Sequence, residues 1–176
     1  MAKVYFSLGS NAGDRLDSLV KATKLIGNRI GRVIQYSPVV ESEPWGFMSE
    51  TTFFNMVVVA DTEFSPQQVL SQILDIETSL GRTRHGKGYA NRIIDIDILF
   101  YNSVILNEDK LVIPHPLLHL RKFVLQPLAE IAPEFIHPVL HVSARELLRQ
   151  LNESGSLSVA VESERFAILL NPINQS

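Results

Sequence analysis

The chain has 176 residues, a formal net charge of -3 and no cysteine. Its length fits a single domain, and the lack of cysteine excludes a disulfide scaffold, a cysteine-ligated zinc site, an iron–sulfur cluster and a thiol nucleophile. Apolar runs are much shorter than the about 20 residues of a membrane-spanning helix, and the N-terminus has no signal-peptide pattern. We therefore expect a cytoplasmic protein without membrane contact, and the acidic pI near 5.9 argues against nucleic acid as a partner.

The first hundred residues predict the order strand–helix–strand–strand–helix–strand. An alternating strand over 3–8 precedes a helix capped by Asp14 and ended by Gly27. Ser65 and Gln68 form a capping box at the start of the second helix, which ends at Gly81. The remaining strands are predicted over 32–43, 53–61 and 93–101. This order is that of the ferredoxin-like split βαβ unit, an α/β (α+β) fold with helices on one face of an antiparallel sheet.

The second half of the chain predicts shorter elements. Strands are expected over 104–106, 111–113, 157–161 and 166–170, and helices over 124–131 and from Ser143 to about residue 151. We expect one domain over 1–151 and a C-terminal extension over 152–176 that packs on the same domain.

Two carboxylates stand side by side in the strand predicted over 93–101. Because side chains alternate along a strand, Asp95 and Asp97 share one face, with Cα atoms about 7 Å apart. Two such aspartates can simply face water. However, aspartate is depleted in strands and neighbouring carboxylates repel each other unless a cation lies between them. The pair therefore suits Mg²⁺, which binds one or two carboxylates together with substrate phosphates.

A glycine-rich basic loop leads into this strand. Four cations occur within the twelve residues 81–92, which contain no acid: Arg82, Arg84, Lys87 and Arg92. A run of charge is commonly a solvated face, but cations next to a carboxylate metal site form a receptor for a magnesium-bound polyphosphate. Neither of the common phosphate-binding glycine motifs is present.

Aromatic residues and one amide indicate a further site. Phe53 and Asn55 share a face of their predicted strand, and Trp45 and Phe123 lie near loop ends. An asparagine amide between aromatic rings can recognise a flat heterocycle, because it both donates and accepts hydrogen bonds. Core packing is the alternative for both phenylalanines.

The order and spacing of these segments resemble the 6-hydroxymethyl-7,8-dihydropterin pyrophosphokinase family over residues 1 to about 150. The segments that carry the resemblance are Gly9-Ser10-Asn11, Ser42-Glu43-Pro44-Trp45-Gly46, Phe54-Asn55, Gly81-Arg82-Thr83-Arg84, Arg92-Ile93-Ile94-Asp95-Ile96-Asp97, Ile113-Pro114-His115-Pro116 and Arg121-Lys122-Phe123. Residues 1–151 are on this resemblance the pyrophosphokinase domain.

The resemblance implies pyrophosphate transfer from ATP to the hydroxymethyl group of the pterin, with release of AMP, in folate biosynthesis. It implies catalytic roles for Arg82, Arg92, Asp95 and Asp97, with the two aspartates holding two Mg²⁺ ions on ATP. Pterin contacts are implied for Ser42, Trp45, Phe53, Asn55 and Phe123. ATP contacts are implied for Glu77, Arg84, Ile98, Lys110, His115 and Arg121. The resemblance also suggests a monomer.

The sequence departs from the family pattern in the basic loop, where Gly88, Tyr89 and Asn91 replace a basic residue, a frequent tryptophan and a proline. Three other functions stay open from the residues alone. They are a catalytically silent ligand-binding module, an RNA-binding sheet, and another magnesium-dependent nucleotidyl- or phosphoryl-transfer enzyme. The carboxylates on the central strand disfavour RNA, whose backbone they repel.

Overall fold

The computed structural model describes residues 1–46, 50–81, 93–151 and 157–171. Its main sheet contains six strands: β1 (Ala2–Ser10), β2 (Arg32–Tyr36), β3 (Val39–Ser42), β4 (Phe53–Thr62), β5 (Asp95–Tyr101) and β8 (Ser158–Val161). The strands follow the order β5–β1–β4–β3–β8, with β2 also paired to β4, and every pairing is antiparallel. The predicted ferredoxin-like α/β class, with helices on an antiparallel sheet, is confirmed.

The edge of β4 carries two short strands where the sequence predicts a single one. Pro38 cannot donate a ladder hydrogen bond, and the predicted strand over 32–43 divides there into β2 and β3. Ser37 keeps this break attached to β4, since its N–H donates to the Val57 carbonyl at 2.9 Å and its Oγ accepts from the Val57 N–H at 2.9 Å. A separate small hairpin joins β6 (Leu106–Glu108) to β7 (Leu111–Ile113).

Five α-helices lie on the sheet: α1 (Arg15–Arg29), α2 (Pro66–Ser79), α3 (Lys122–Ile131), α4 (Ala144–Gln150) and α5 (Ser163–Leu170). Asp14 caps α1 by accepting from the Asp17 N–H at 3.0 Å. Ser65 and Gln68 form the predicted reciprocal capping box of α2. Among the described residues no helix is both long and apolar enough to cross a membrane.

The helices cover both faces of the sheet, so the prediction that they lie on one face is wrong. One core forms between the sheet and the helices α1, α2 and α5, and includes Phe6, Ile26, Ile73, Ile98 and Phe166. A second core forms on the other face under α3 and α4, and includes Tyr5, Val57, Leu99, Leu125 and Leu147. These two helices cover only part of that face.

Three local predictions are wrong for physical reasons. Gly27 lies inside α1, because the buried apolar stripe of this helix continues to Ile30. The segment predicted as a strand over 166–170 belongs to helix α5, which buries Phe166 and exposes Ile168. A short apolar run of this kind fits a strand or a buried helix equally well. The predicted strand over 104–106 forms two residues later, as β6.

The C-terminal segment that the structure describes shares the main sheet and its core. β8 pairs with β3 through Val39 and Val161, and Phe166 on α5 is fully buried against the ring of Tyr36 at a centroid distance of 5.5 Å. β8 therefore covers an edge of β3 that would otherwise present unpaired backbone groups.

Candidate active site

A pocket opens on the part of the second face that α3 and α4 leave uncovered. The empty space of this pocket is about 590 Å³ when the open solvent at its mouth is included. Its lining combines carboxylates, an arginine, an amide and aromatic rings: Ser7, Gly9, Ser42, Glu43, Trp45, Phe53, Asn55, Asp95, Asp97, Arg121 and Phe123. Eight of these have an expected catalytic or binding role; Gly9 and Glu43 only stand in segments that carry the resemblance, and Ser7 has no expected role.

The two aspartates of β5 lie at one end of this pocket. In the pairing with β1, Asp97 stands opposite Ser7 and Asp95 opposite Gly9. Small residues on the neighbouring strand leave the space above the sheet open in front of both carboxylates. Asp97 Oδ2 lies 3.8 Å from His115 Nε2 and 3.9 Å from a guanidinium nitrogen of Arg121. The side chain of Asp97 is 38% exposed, so solvent and ligands can reach it.

The segment after β7 fixes the orientation of His115. Its backbone N–H donates to the Leu99 carbonyl at 3.0 Å, and its Nδ1 accepts from the Leu117 N–H at 3.1 Å. Burial, followed by the positive charge of Arg121, lowers the pKa of His115 to about 4. His115 is therefore neutral near pH 7 with its proton on Nε2, the nitrogen that faces Asp97.

Arg121 connects the acidic end of the pocket with the aromatic end. It directly precedes α3, and its guanidinium carbon lies 4.9 Å from the ring centroid of Trp45 and 5.8 Å from that of Phe123. The buried Nε of Arg121 has no hydrogen-bond partner among the described residues. The guanidinium nitrogen beside Asp97 places a positive charge there, which suits an anionic ligand.

The opposite end of the pocket is built on β3 and β4. Asn55 is almost fully buried, and its Nδ2 donates to Ser42 Oγ at 2.8 Å. Ser42 pairs with Phe53 in the sheet, while Gly9 pairs with Asn55. The hydrogen bond to Ser42 fixes the Asn55 amide in the pocket that Phe53 and Phe123 also line. Gly9 stands in a segment that carries the resemblance, but the sequence alone does not show that it lies beside Asn55, because that contact comes from the pairing of β1 with β4.

Four described residues with expected ATP contacts lie outside this lining: Glu77, Ile98, Lys110 and His115, whose Nε2 lies 3.8 Å from Asp97 Oδ2. Glu77 on α2 is buried, and its Oε1 accepts from the Ile96 N–H at 2.8 Å, between the two aspartates of β5. The Ile98 side chain packs in the first core, so its backbone is the part available to a ligand. Lys110 is exposed in the turn between β6 and β7. The expected roles of Arg82, Arg84 and Arg92 concern positions outside the described residues.

The donor set fits a magnesium ion that is bound together with a polyphosphate. Over the described ranges, no group of three or more histidine, aspartate or glutamate side chains forms a complete metal site. Two accessible carboxylates are nevertheless what Mg²⁺ takes from a protein when phosphates supply further ligands. Asp95 and Asp97 are the residues that meet this requirement.

Comparison with known proteins gives one family. The sequence profile of the 7,8-dihydro-6-hydroxymethylpterin-pyrophosphokinase (HPPK) family matches residues 5–133. A Porphyromonas gingivalis protein named 2-amino-4-hydroxy-6-hydroxymethyldihydropteridine pyrophosphokinase is 43% identical over 141 residues, which cover 78% of this chain and 95% of that protein. The folic acid synthesis protein FOL1 of Dictyostelium discoideum is 36% identical over 154 residues.

Some similar proteins are much longer than this chain. The match covers 88% of this chain and 23% of the Dictyostelium protein. A crystal structure of Plasmodium falciparum HPPK-DHPS with pteroate superposes with a TM-score of 0.70 at 18% identity, and covers 85% of this chain and 44% of that one. This structural similarity supports the fold alone.

Proposed function

Because this chain belongs to the 7,8-dihydro-6-hydroxymethylpterin-pyrophosphokinase family, we propose that it transfers pyrophosphate from ATP to 6-hydroxymethyl-7,8-dihydropterin in folate biosynthesis. The substrate hydroxyl oxygen attacks the β-phosphorus of ATP. The bond from that phosphorus to the oxygen bridging to the α-phosphate breaks, AMP leaves, and the hydroxyl proton is released. The observation that carries the proposal is one pocket lined both by the carboxylate pair of β5 and by a buried amide together with aromatic side chains.

The aromatic end of the pocket is the proposed pterin site. Asn55 offers an acceptor and a donor to the heterocycle, while Phe53 and Phe123 offer ring faces for stacking. Ser42 orients the amide, and Trp45 lines the rim beside Arg121. Recognition of this kind is selective, since a heterocycle without matching polar groups would leave the buried Asn55 amide without hydrogen-bond partners in the ligand.

The acidic end of the pocket is the proposed triphosphate site. We propose that Asp95 and Asp97 hold two Mg²⁺ ions with ATP; when bound, the ions neutralise phosphate charge as it redistributes. The neutral His115 has an Nε2–H that can donate to a phosphate oxygen, and Arg121 supplies a positive charge beside Asp97. Both side chains can therefore orient phosphate oxygens without a proton transfer.

The remaining proposed roles rest on sequence position. Arg82 and Arg92 are proposed to neutralise charge on the moving phosphoryl groups, with Arg84 as an additional phosphate contact. Glu77, Ile98 and Lys110 are proposed to contact ATP, Ile98 through its backbone. The active unit is proposed to be a monomer.

The decisive experiment is a turnover assay with ATP, Mg²⁺ and 6-hydroxymethyl-7,8-dihydropterin that separates AMP from ADP. AMP that forms only when both pterin and Mg²⁺ are present is the expected result. ADP as the product would instead indicate a kinase that transfers a single phosphate. Pterin binding without any turnover would favour a silent binding module.

A matched pair of variants tests the metal assignment. Asp97→Asn removes a carboxylate from the pocket while keeping its shape, and we expect it to abolish turnover without unfolding the chain. Asp109→Asn makes the same change at an exposed turn between β6 and β7 and is expected to leave the rate unchanged. Full magnesium-dependent activity in Asp97→Asn would refute the proposed metal role.

A further inference from the structure

A basic side chain occupies the end of α1 where its charge is unfavourable. Arg15 is the first residue of the helix, directly after the cap Asp14. The N-terminus of a helix carries partial positive charge, which disfavours a cation there. The Arg15 side chain is nevertheless only 26% exposed. Interactions outside the helix must therefore hold it in place.

Those interactions lie on two sheet strands and form what we term the Arg15 clamp, made of Arg15, Glu41 and Thr52. One guanidinium nitrogen of Arg15 donates to the Thr52 carbonyl at 2.9 Å and to Thr52 Oγ1 at 2.7 Å. The same nitrogen lies 3.2 Å from Glu41 Oε1, to which the Thr52 hydroxyl also donates. The guanidinium carbon stacks 3.8 Å from the ring centroid of Phe54.

The charge state of the clamp is secure near neutral pH. The hydrogen bond from Thr52, together with that from Arg15, lowers the pKa of Glu41 below its ordinary value. Glu41 is therefore ionised, and its contact with Arg15 is a charge-assisted hydrogen bond. Such bonds are stronger than neutral ones, and a guanidinium with several acceptors has a fixed geometry.

The clamp lies directly behind the proposed pterin site. Glu41 precedes Ser42 on β3, and Thr52 precedes Phe53 at the start of β4. Ser42 and Phe53 are paired across these two strands, and Ser42 accepts the hydrogen bond that orients Asn55. A change in the separation of β3 and β4 at this point would therefore move the three side chains that face the proposed pterin site, namely Ser42, Phe53 and Asn55.

We infer that Arg15 is a positioning residue for the pterin half of the pocket, acting by holding the end of β3 against the start of β4. The inference rests on the proposed function. The contacts described for Arg15 are with Glu41, Thr52 and Phe54, on β3 and at the start of β4, at least two strands away from β5 with its carboxylate pair. Loss of the clamp should therefore weaken pterin binding while ATP binding is retained.

The test measures pterin and ATP affinity separately in Arg15→Ala. Equilibrium binding of 6-hydroxymethylpterin is followed by its fluorescence, and ATP binding with Mg²⁺ by calorimetry. We expect the pterin Kd to rise about tenfold, which is the scale of one lost hydrogen bond to the ligand. The ATP Kd should stay within about twofold, and Arg15→Lys should recover part of the pterin affinity because it keeps the ion pair.

The control is a similar ion pair at the other end of β4. Arg32 lies 3.6 Å from Asp61 there, and its side chain is mostly exposed; Arg32→Ala should change neither Kd. Thr52→Val keeps the side-chain shape and removes only the hydroxyl contacts, so it tests the clamp if Arg15→Ala folds poorly. Its pterin Kd should rise by a smaller factor in the same direction.

The outcomes distinguish the inference from the proposed function. If the wild-type chain binds pterin and both Arg15→Ala and Thr52→Val bind it equally well, the positioning role is refuted and the proposed function stands. Equal losses of pterin and ATP affinity would also refute it, since they indicate general destabilisation. A wild-type chain that binds no pterin overturns the proposed function and the inference together.

Discussion

Replacing Gly9 with alanine adds one methyl group to the floor of the pocket, beneath the proposed pterin-reading amide. A Cβ built at this position lies 3.1 Å from Asn55 Oδ1 and 3.8 Å from Phe53 Cδ1, whereas ordinary Cβ contacts begin at 3.4 Å. The backbone at Gly9 is not in the left-handed region, so alanine fits the strand itself. The substitution therefore acts on the amide rather than on the fold.

The size of the effect follows from these distances. The Asn55 amide must move by about 0.3 Å, which is the difference between 3.4 and 3.1 Å. This movement strains its 2.8 Å hydrogen bond to Ser42, which holds the amide in its present orientation. A hydrogen bond contributes about 0.5–1.5 kcal/mol net. We expect a loss of about 1 kcal/mol in pterin binding, which corresponds to about a fivefold higher Kd.

Pterin binding and ATP binding measured on Gly9→Ala check this reasoning. Gly27→Ala is the matched control, because its Cβ meets Val33 Cγ2 at an ordinary 3.7 Å and the residue lies inside α1. That control should bind both ligands normally and gain about 0.5–1 kcal/mol of stability from the alanine in a helix. An unchanged pterin Kd in Gly9→Ala, or an equal rise in the ATP Kd, would refute the assignment of Asn55 to the pterin.

Two further substitutions test the supports of the site. Glu77→Leu removes the acceptor of the buried Ile96 N–H. It should lower the free energy of unfolding by about 1–3 kcal/mol, the cost of leaving a buried donor unsatisfied, as measured by denaturant unfolding. Glu77→Gln keeps an acceptor and should lose less stability. Gln126→Leu removes two hydrogen bonds with the Leu157 backbone, of 3.1 and 2.8 Å. We expect about 1–2 kcal/mol less stability with the pterin Kd preserved; an unchanged unfolding midpoint would show that Gln126 does not anchor the C-terminal segment.

Elements with strong local signals could be predicted from the sequence. The caps Asp14 and Ser65 identify where α1 and α2 begin, because each supplies an acceptor to a free backbone N–H within its own turn. Alternation along β5 places Asp95 and Asp97 on one face, and the structure brings both into the same pocket. These features depend on residues close together in the chain.

Features that depend on pairing between distant segments could not be predicted in this way. Phe100 is expected on the same face as Ile96 and Ile98, but it belongs to the second core. A register shift between Tyr5 and Phe6 on β1 interrupts the alternation of side chains along β5, so that Phe100 packs in the second core together with its neighbour Leu99. The alternation rule holds only where the ladder is regular.

The position of Arg121 and Phe123 shows why the pocket needs the second layer of helices. Leu125 and Leu128 anchor α3 in the second core, and this packing holds the first turn of α3 at the edge of the uncovered sheet. The segment around that turn brings a cation toward Asp97 and an aromatic ring toward Asn55. A reaction between ATP and a pterin requires the two substrates to meet at that boundary, and Arg121 lies there between the carboxylates and Trp45. The core beneath α3 therefore sets the relative placement of the two half-sites.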